Sequence, residues 1–170
     1  MPAVARLIDA NANRAREALR VMEDAARFLL NDADLSADLK TLRHDLAAAL
    51  TTIPNLTANR DTPGDVGTTL TTPREHFRGS VADVAVAAGK RLSEALRSIE
   101  EFTKTLPLEK AAAASQVEQL RYRGYELERR LNAALRPTAR RQWRLCVLLT
   151  ESLCRLPWKD VLDQVLDAGV

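Results

Sequence analysis

Apolar residues recur along most of this chain at steps of three and four, the spacing of one helical face. Ile8, Ala12, Ala15, Leu19, Met22, Ala26 and Leu29 mark the first stripe, and its alanines would let a partner helix approach closely. The polar cluster Asn31-Asp-Ala-Asp34 ends that helix. Leu35, Leu39, Leu42, Leu46 and Leu50 define a second helix over about residues 35–50. A connector follows over roughly residues 51–72, with Pro54, Pro63, Gly64, Gly67 and six threonines between Thr51 and Thr69. Thr72-Pro-Arg-Glu75 predicts the start of a third helix, with Thr72 as N-cap, Pro73 in the first position and Glu75 closing a capping box. That helix, with a kink near Gly79-Ser80, runs to Leu106, and Pro107 stops it. A fourth begins near Ser115-x-x-Glu118 and passes through Leu120, Leu127, Leu131 and Leu135 until Pro137.

The charged positions repeat along with the apolar ones. Arg14-Ala-Arg-Glu-Ala-Leu-Arg-Val-Met-Glu-Asp24 returns 77 residues later as Arg91-Leu-Ser-Glu-Ala-Leu-Arg-Ser-Ile-Glu-Glu101, with six of eleven positions identical. Leu42-Arg43 matches Leu120-Arg121, and Leu46-Ala-Ala-Ala-Leu50 matches Leu131-Asn-Ala-Ala-Leu135. The unit is a helical hairpin present twice, so the expected fold class is all-α, a helical bundle built by duplication.

Residues 139–170 break this pattern. Arg144-Leu-Cys-Val-Leu-Leu-Thr150 reads as a short strand, and Leu156 to Gly169 as a helix with Pro157 at its start. A lone strand lacks a pairing partner, so this β-α fragment reads as the opening of another domain, distinct from residues 1–138.

Composition narrows the function without naming it. The 170 residues carry 25 basic and 23 acidic side chains, well mixed, which favours neither nucleic acid nor a membrane surface. No apolar run reaches membrane-spanning length and no signal peptide is visible, so a cytoplasmic chain is expected. Cys146 and Cys154, with no histidine nearby and no second cysteine pair, do not form a zinc-site pattern.

Two groups of residues could carry chemistry. On the first helix Glu17, Arg20 and Asp24 project opposite the apolar stripe beside Asn13; Glu94, Arg97 and Glu101 repeat them on the third. Spacing alone also suits ordinary i,i+3 and i,i+4 surface pairs, each worth a few tenths of a kcal/mol. The second group is the connector segment Arg60-Asp-Thr-Pro-Gly-Asp-Val-Gly-Thr68. Its glycines could turn amides toward a phosphate and Asp61 or Asp65 could hold magnesium, although Pro-Gly-Asp is also a common exposed turn. His44 reads as a packed or capping residue. Tyr122 and Tyr125 could stack a planar ring, but are expected in the core.

Taken together, Asp9 to Asp24, Leu42-Arg-His-Asp45, Arg60 to Thr68 and Lys90 to Glu101 resemble one module. It is the helical hydroxymethylpyrimidine phosphate kinase domain found fused ahead of thiamine phosphate synthase. The resemblance covers about residues 5–135, and the tail from Arg144 is similar to the opening strand and helix of the synthase's (β/α)₈ barrel. It implies ATP-dependent phosphorylation of 4-amino-5-hydroxymethyl-2-methylpyrimidine phosphate to the diphosphate, with Mg²⁺, and a fused or associated synthase barrel as partner. The competing expectation is a non-catalytic helical module that dimerises or tethers the synthase.

On the kinase reading, Arg14, Glu17, Arg20, Asp24 and Arg97 are catalytic candidates. Asn11, Asn13, Arg60, Gly64, Gly67, Thr68 and Arg91 would bind substrate or phosphate, and Asp61, Asp65 and Glu23 would hold Mg²⁺. The site can close within one chain or across a homodimer. One departure stands out: the family pattern carries an asparagine where this chain has Ala88, so the repeat is expected to be symmetric as a scaffold and unequal as a site.

Overall fold

The computed structural model describes residues 2–69, 77–107, 111–136 and 150–167, which fall in two compact units, Met1–Arg136 and Pro137–Val170. Four long helices make the first unit: α1 (Pro2–Asp24), α2 (Ala33–Leu50), α3 (Val81–Thr103) and α4 (Ala111–Leu135). No strand occurs among the described residues, in keeping with the all-α class.

The apolar stripes become the core. Ile8, Ala12, Ala15, Leu19 and Met22 of α1 are fully buried, as are Leu39 and Leu46 of α2 and Ile99 of α3. Each large aliphatic side chain so buried contributes roughly 2 kcal/mol relative to exposure. Small residues, among them Ala15 and Ala18 on α1 and Ala85, Ala88 and Gly89 on α3, fill many of the buried positions of these two helices. Besides its own hairpin partner each helix packs on one more, α1 on α3 and α2 on α4.

Neighbouring helices run antiparallel. Arg123 pairs with Asp45 and Arg130 with Asp38, so α4 rises as α2 falls. The end of α1 (Val21, Asp24) shares a cleft with the start of α3 (Val81, Val84). Helices α2 and α3 therefore point the same way, and the connector joins opposite ends of the bundle, a single long crossover.

Local signals set the helix ends, and some depart from expectation. α1 passes into a π-helical turn, Ala25–Leu29, which periodicity does not reveal. Asn31 then adopts a left-handed conformation (φ 51°), and Asp32 caps α2 by accepting from the Leu35 amide at 2.9 Å. α3 does not begin at Pro73. Residues 70–76 lie outside the described residues, but Phe77–Ser80 are not helical, and Ser80 Oγ caps the helix by accepting from the Asp83 amide at 3.1 Å. α3 ends at Thr103 rather than Leu106, and α4 starts earlier than Ser115.

In the second unit a 3₁₀ turn, Glu151–Leu153, precedes α5 (Trp158–Asp167), none of whose residues is buried. The expected strand, Arg144–Leu149 in particular, lies outside the described residues.

Candidate functional site

Asp9 sits on α1 beside the core residue Ile8 and is only 3% exposed. A carboxylate at such a position needs a partner. Arg60, from the connector, supplies it through a bidentate fork: Nε donates to Oδ2 at 2.7 Å and Nη2 to Oδ1 at 2.9 Å. The hydrogen bond to Asp9, and then its charge, raise the Arg60 pKa above its ordinary value. This pair pins the connector to α1.

Arg6 extends the attachment. Its Nη2 donates to the Asp61 carbonyl at 2.7 Å, and its guanidinium lies 3.5 Å from the Asp61 carboxylate and 3.9 Å from that of Asp65. Both aspartates also fold their own loop: Asp61 accepts from the Gly64 amide at 3.0 Å and Asp65 from the Gly67 amide at 2.9 Å. The Thr68 hydroxyl donates to the Asp65 carbonyl. Gly64, Gly67 and Thr68, expected to turn donors toward a phosphate, instead hold the loop's own oxygens. A Cβ at Gly64 would meet the Asp61 carboxylate, which would have to shift.

Between α1 and this loop lies a cleft of about 770 Å³, with Arg6, Asn11 and Arg14 on the helix wall and Asn59, Asp61 and Asp65 on the loop wall. A smaller space of about 160 Å³ adjoins it, bounded by Asn13 and Arg60. Asn11 is nearly buried; its amide donates to the Leu7 carbonyl at 3.0 Å and its oxygen accepts from Arg14 at 3.3 Å. Asn13 accepts from Arg16, which leaves its own amide hydrogens available. Arg14 also lines the cleft and has no ion-pair partner among the described residues.

The structure thus gathers Asn11, Asn13, Arg14, Arg60, Asp61, Gly64 and Asp65 in one place. The other expected residues stand elsewhere. Glu23 pairs with Arg43 at 3.4 Å at the far end of α1, away from Asp61 and Asp65. Glu17, Arg20, Asp24 and Arg91 are exposed, form no ion pair among the described residues, and line neither part of the cleft. The i,i+4 pairing suggested for the motif forms only in the second copy, where Arg97 meets Glu101 at 2.9 Å. Tyr122 and Tyr125 are not core residues. They are 55% and 43% exposed and contact each other edge to face, flanking the Arg121 guanidinium.

Arg6, Asp9 and Asn59 complete the site without having been singled out. Asp9 opened the motif, but a partner 51 residues away leaves no trace in local spacing. In the second copy Val86, Ala88 and Lys90 replace Asp9, Asn11 and Asn13, and Lys90 is paired with buried Glu128 at 3.0 Å. The two copies thus differ in side chains at these three places, Ala88 among them.

Comparison with known proteins locates this arrangement in a family. The ThiD2 family model matches residues 6–130, which includes both copies of the motif and the connector. The chain belongs to the ThiD2 family. Curated relatives of this ThiD2 chain carry the name thiamine-phosphate synthase. That of Rhodopirellula baltica is 42% identical over 174 residues, covering 98% of this chain and 46% of that protein. That of Nostoc punctiforme is 47% identical over 128 residues, 75% of this chain and 35% of its own length. The Synechocystis protein is 45% identical over 126 residues, 74% of the chain and 35% of its length. The chain therefore spans less than half the length of these relatives. No solved structure matches it.

Proposed function

We propose that this chain serves thiamine phosphate formation as the helical portion of a synthase-type protein, and that its α1–connector cleft phosphorylates the pyrimidine precursor. The name shared by its relatives supports the first part. The second rests on one observation: three arginines and three asparagines converge with two loop carboxylates on a cleft large enough for a small phosphorylated ring.

The reaction suits such a site. A phosphate oxygen of hydroxymethylpyrimidine phosphate is ionised at neutral pH, so it attacks the γ-phosphorus of ATP without a general base. The bond from that phosphorus to the bridging oxygen breaks, and ADP leaves with the electron pair. The protein must neutralise crowded phosphates and hold the reactants in line. Arg14 and the outward edge of Arg60 would bind the phosphate, and the free amide of Asn13 would donate to a ring nitrogen. Magnesium commonly takes one or two protein carboxylates plus substrate phosphates. Asp61 and Asp65 are of that donor type, but the Oδ2 of each, the oxygen not engaged by a glycine amide, faces Arg6 at 3.5 and 3.9 Å, so magnesium would have to displace Arg6 there. It would supply charge neutralisation across the phosphates.

A second reading has its own support. The relatives are named for the synthase alone, which suits a helical domain that scaffolds or dimerises the synthase without chemistry of its own. Thermal unfolding of the full chain separates the two. The kinase reading expects the melting temperature to rise with Mg·ATP plus the pyrimidine phosphate, and Arg14→Gln to abolish the rise. No shift with any combination would favour the scaffold.

A further inference from the structure

The π-helical turn makes the two copies differ at a second place, remote from the α1–connector cleft. In the second copy Lys104 lies 2.9 Å and Arg97 2.8 Å from the same Glu100 oxygen, so both cations are compensated. Arg27 occupies the position of Lys104 in the first copy, but falls within the π-helical turn. It meets no carboxylate among the described residues, and its guanidinium rests 4.8 Å from the centre of the Phe28 ring.

Arg27 and Lys40 line a cleft of about 510 Å³ between the end of α1 and the start of α2. Lys40 also has no ion-pair partner among the described residues. The acidic residues of the same cleft are engaged: Glu23 faces Arg43 at 3.4 Å, and Asp32 caps α2. Ser36 adds a hydroxyl and Asn31 a side-chain amide to the lining. Two cations without counter-charges, with neutral hydrogen-bonding groups between them, match the chemistry of a phosphoryl group. The space suits a small molecule bearing one.

We propose that this cleft binds a small phosphorylated molecule, with Arg27 and Lys40 holding its phosphate. Asn11 and Glu23 are separated by roughly 18 Å along the helix axis, at about 1.5 Å per residue, so the site is distinct from the α1–connector cleft. It does not depend on the kinase reading.

Calorimetric titration of the full chain with inorganic pyrophosphate, in an Arg14→Gln background that weakens the other cleft, tests it. The expected result is saturable binding that weakens about tenfold or more when Arg27→Gln and Lys40→Gln are added, as expected for losing charge-assisted contacts. The charge-preserving pair Arg27→Lys and Lys40→Arg should retain binding, which separates charge from any effect on folding. No saturable binding in the Arg14→Gln chain, or unchanged affinity in the neutral double variant, would overturn the proposal. So would equal loss in the charge-preserving pair.

Discussion

Arg121 Nε donates to Glu100 Oε2 at 2.9 Å between α4 and α3, and the equivalent residues Arg43 and Glu23 join α2 to α1 at 3.4 Å. The duplicated motif thus ties each hairpin together at matching places. The second tie is the deeper one, with Glu100 only 1% exposed and further cations from Lys104 and Arg97 on its other oxygen. The first is partly open, and Arg43 Nε there is buried without an acceptor.

Removing the Glu100 charge should therefore cost more than removing that of Glu23. Glu100→Gln leaves buried Arg121 with only the half-exposed Glu118 carboxylate, 3.9 Å away, and about 3 kcal/mol of stability should be lost. Glu23→Gln should cost about 1 kcal/mol, because both partners reach solvent. Urea unfolding with unchanged slopes measures the difference. Equal losses would contradict the asymmetry between the copies.

The same residue predicts a pH dependence. Burial opposes ionisation of Glu100, but hydrogen bonds from Lys104 and Arg121 outweigh it and hold its pKa below the ordinary carboxylate value. A depressed folded-state pKa contributes stability that is present above the unfolded value and lost as pH falls through the folded one. The stability gap between wild type and Glu100→Gln should thus be full near about pH 7 and shrink below roughly pH 4. A gap that widened in acid would refute this sign.

Two helical glycines should respond oppositely to alanine. At Gly124 a Cβ would lie 3.5 Å from Leu92 and 3.7 Å from Leu96, ordinary contact distances. Gly124→Ala should therefore stabilise by roughly 0.5–1 kcal/mol through helix propensity. At Gly89 the Cβ would come within 2.7 Å of the Glu128 Cγ, and Glu128 is held by Lys90. Gly89→Ala should lose its propensity gain and destabilise by about 1 kcal/mol. Thermal melts of both variants check the pair.

The connector should loosen when its anchor is weakened. Asp9→Asn keeps the shape of the side chain but removes the charge that Arg60 grips. Tryptic cleavage after Arg60 should accelerate about tenfold with helix content unchanged, as expected for losing one charge-assisted pair. An unchanged cleavage rate would show that the loop is held by other contacts.

The stripes in the sequence carried the bundle because burial follows the helical period: every leucine of the second stripe is buried in α2. The tyrosines were misplaced because Gly124 takes the inward position between Leu120 and Leu127, which turns Tyr122 and Tyr125 outward. Ser80 caps α3 just past Gly79, where the sequence placed a kink, while Thr72-Pro-Arg-Glu75 lies outside the described residues. Exposed charges such as Glu17 and Arg20 were conspicuous in the repeat. The pair that builds the cleft, Asp9 with Arg60, depends on chain crossover and could not be read from spacing.

Phosphoryl transfer in the α1–connector cleft is the proposed activity. Incubating the full chain with hydroxymethylpyrimidine phosphate, ATP and Mg²⁺, and following products by ³¹P NMR, tests it most directly. The account predicts a diphosphate doublet that grows in step with ADP and disappears in Arg14→Gln. ATP and the monophosphate remaining unchanged, with a folded chain, would contradict it.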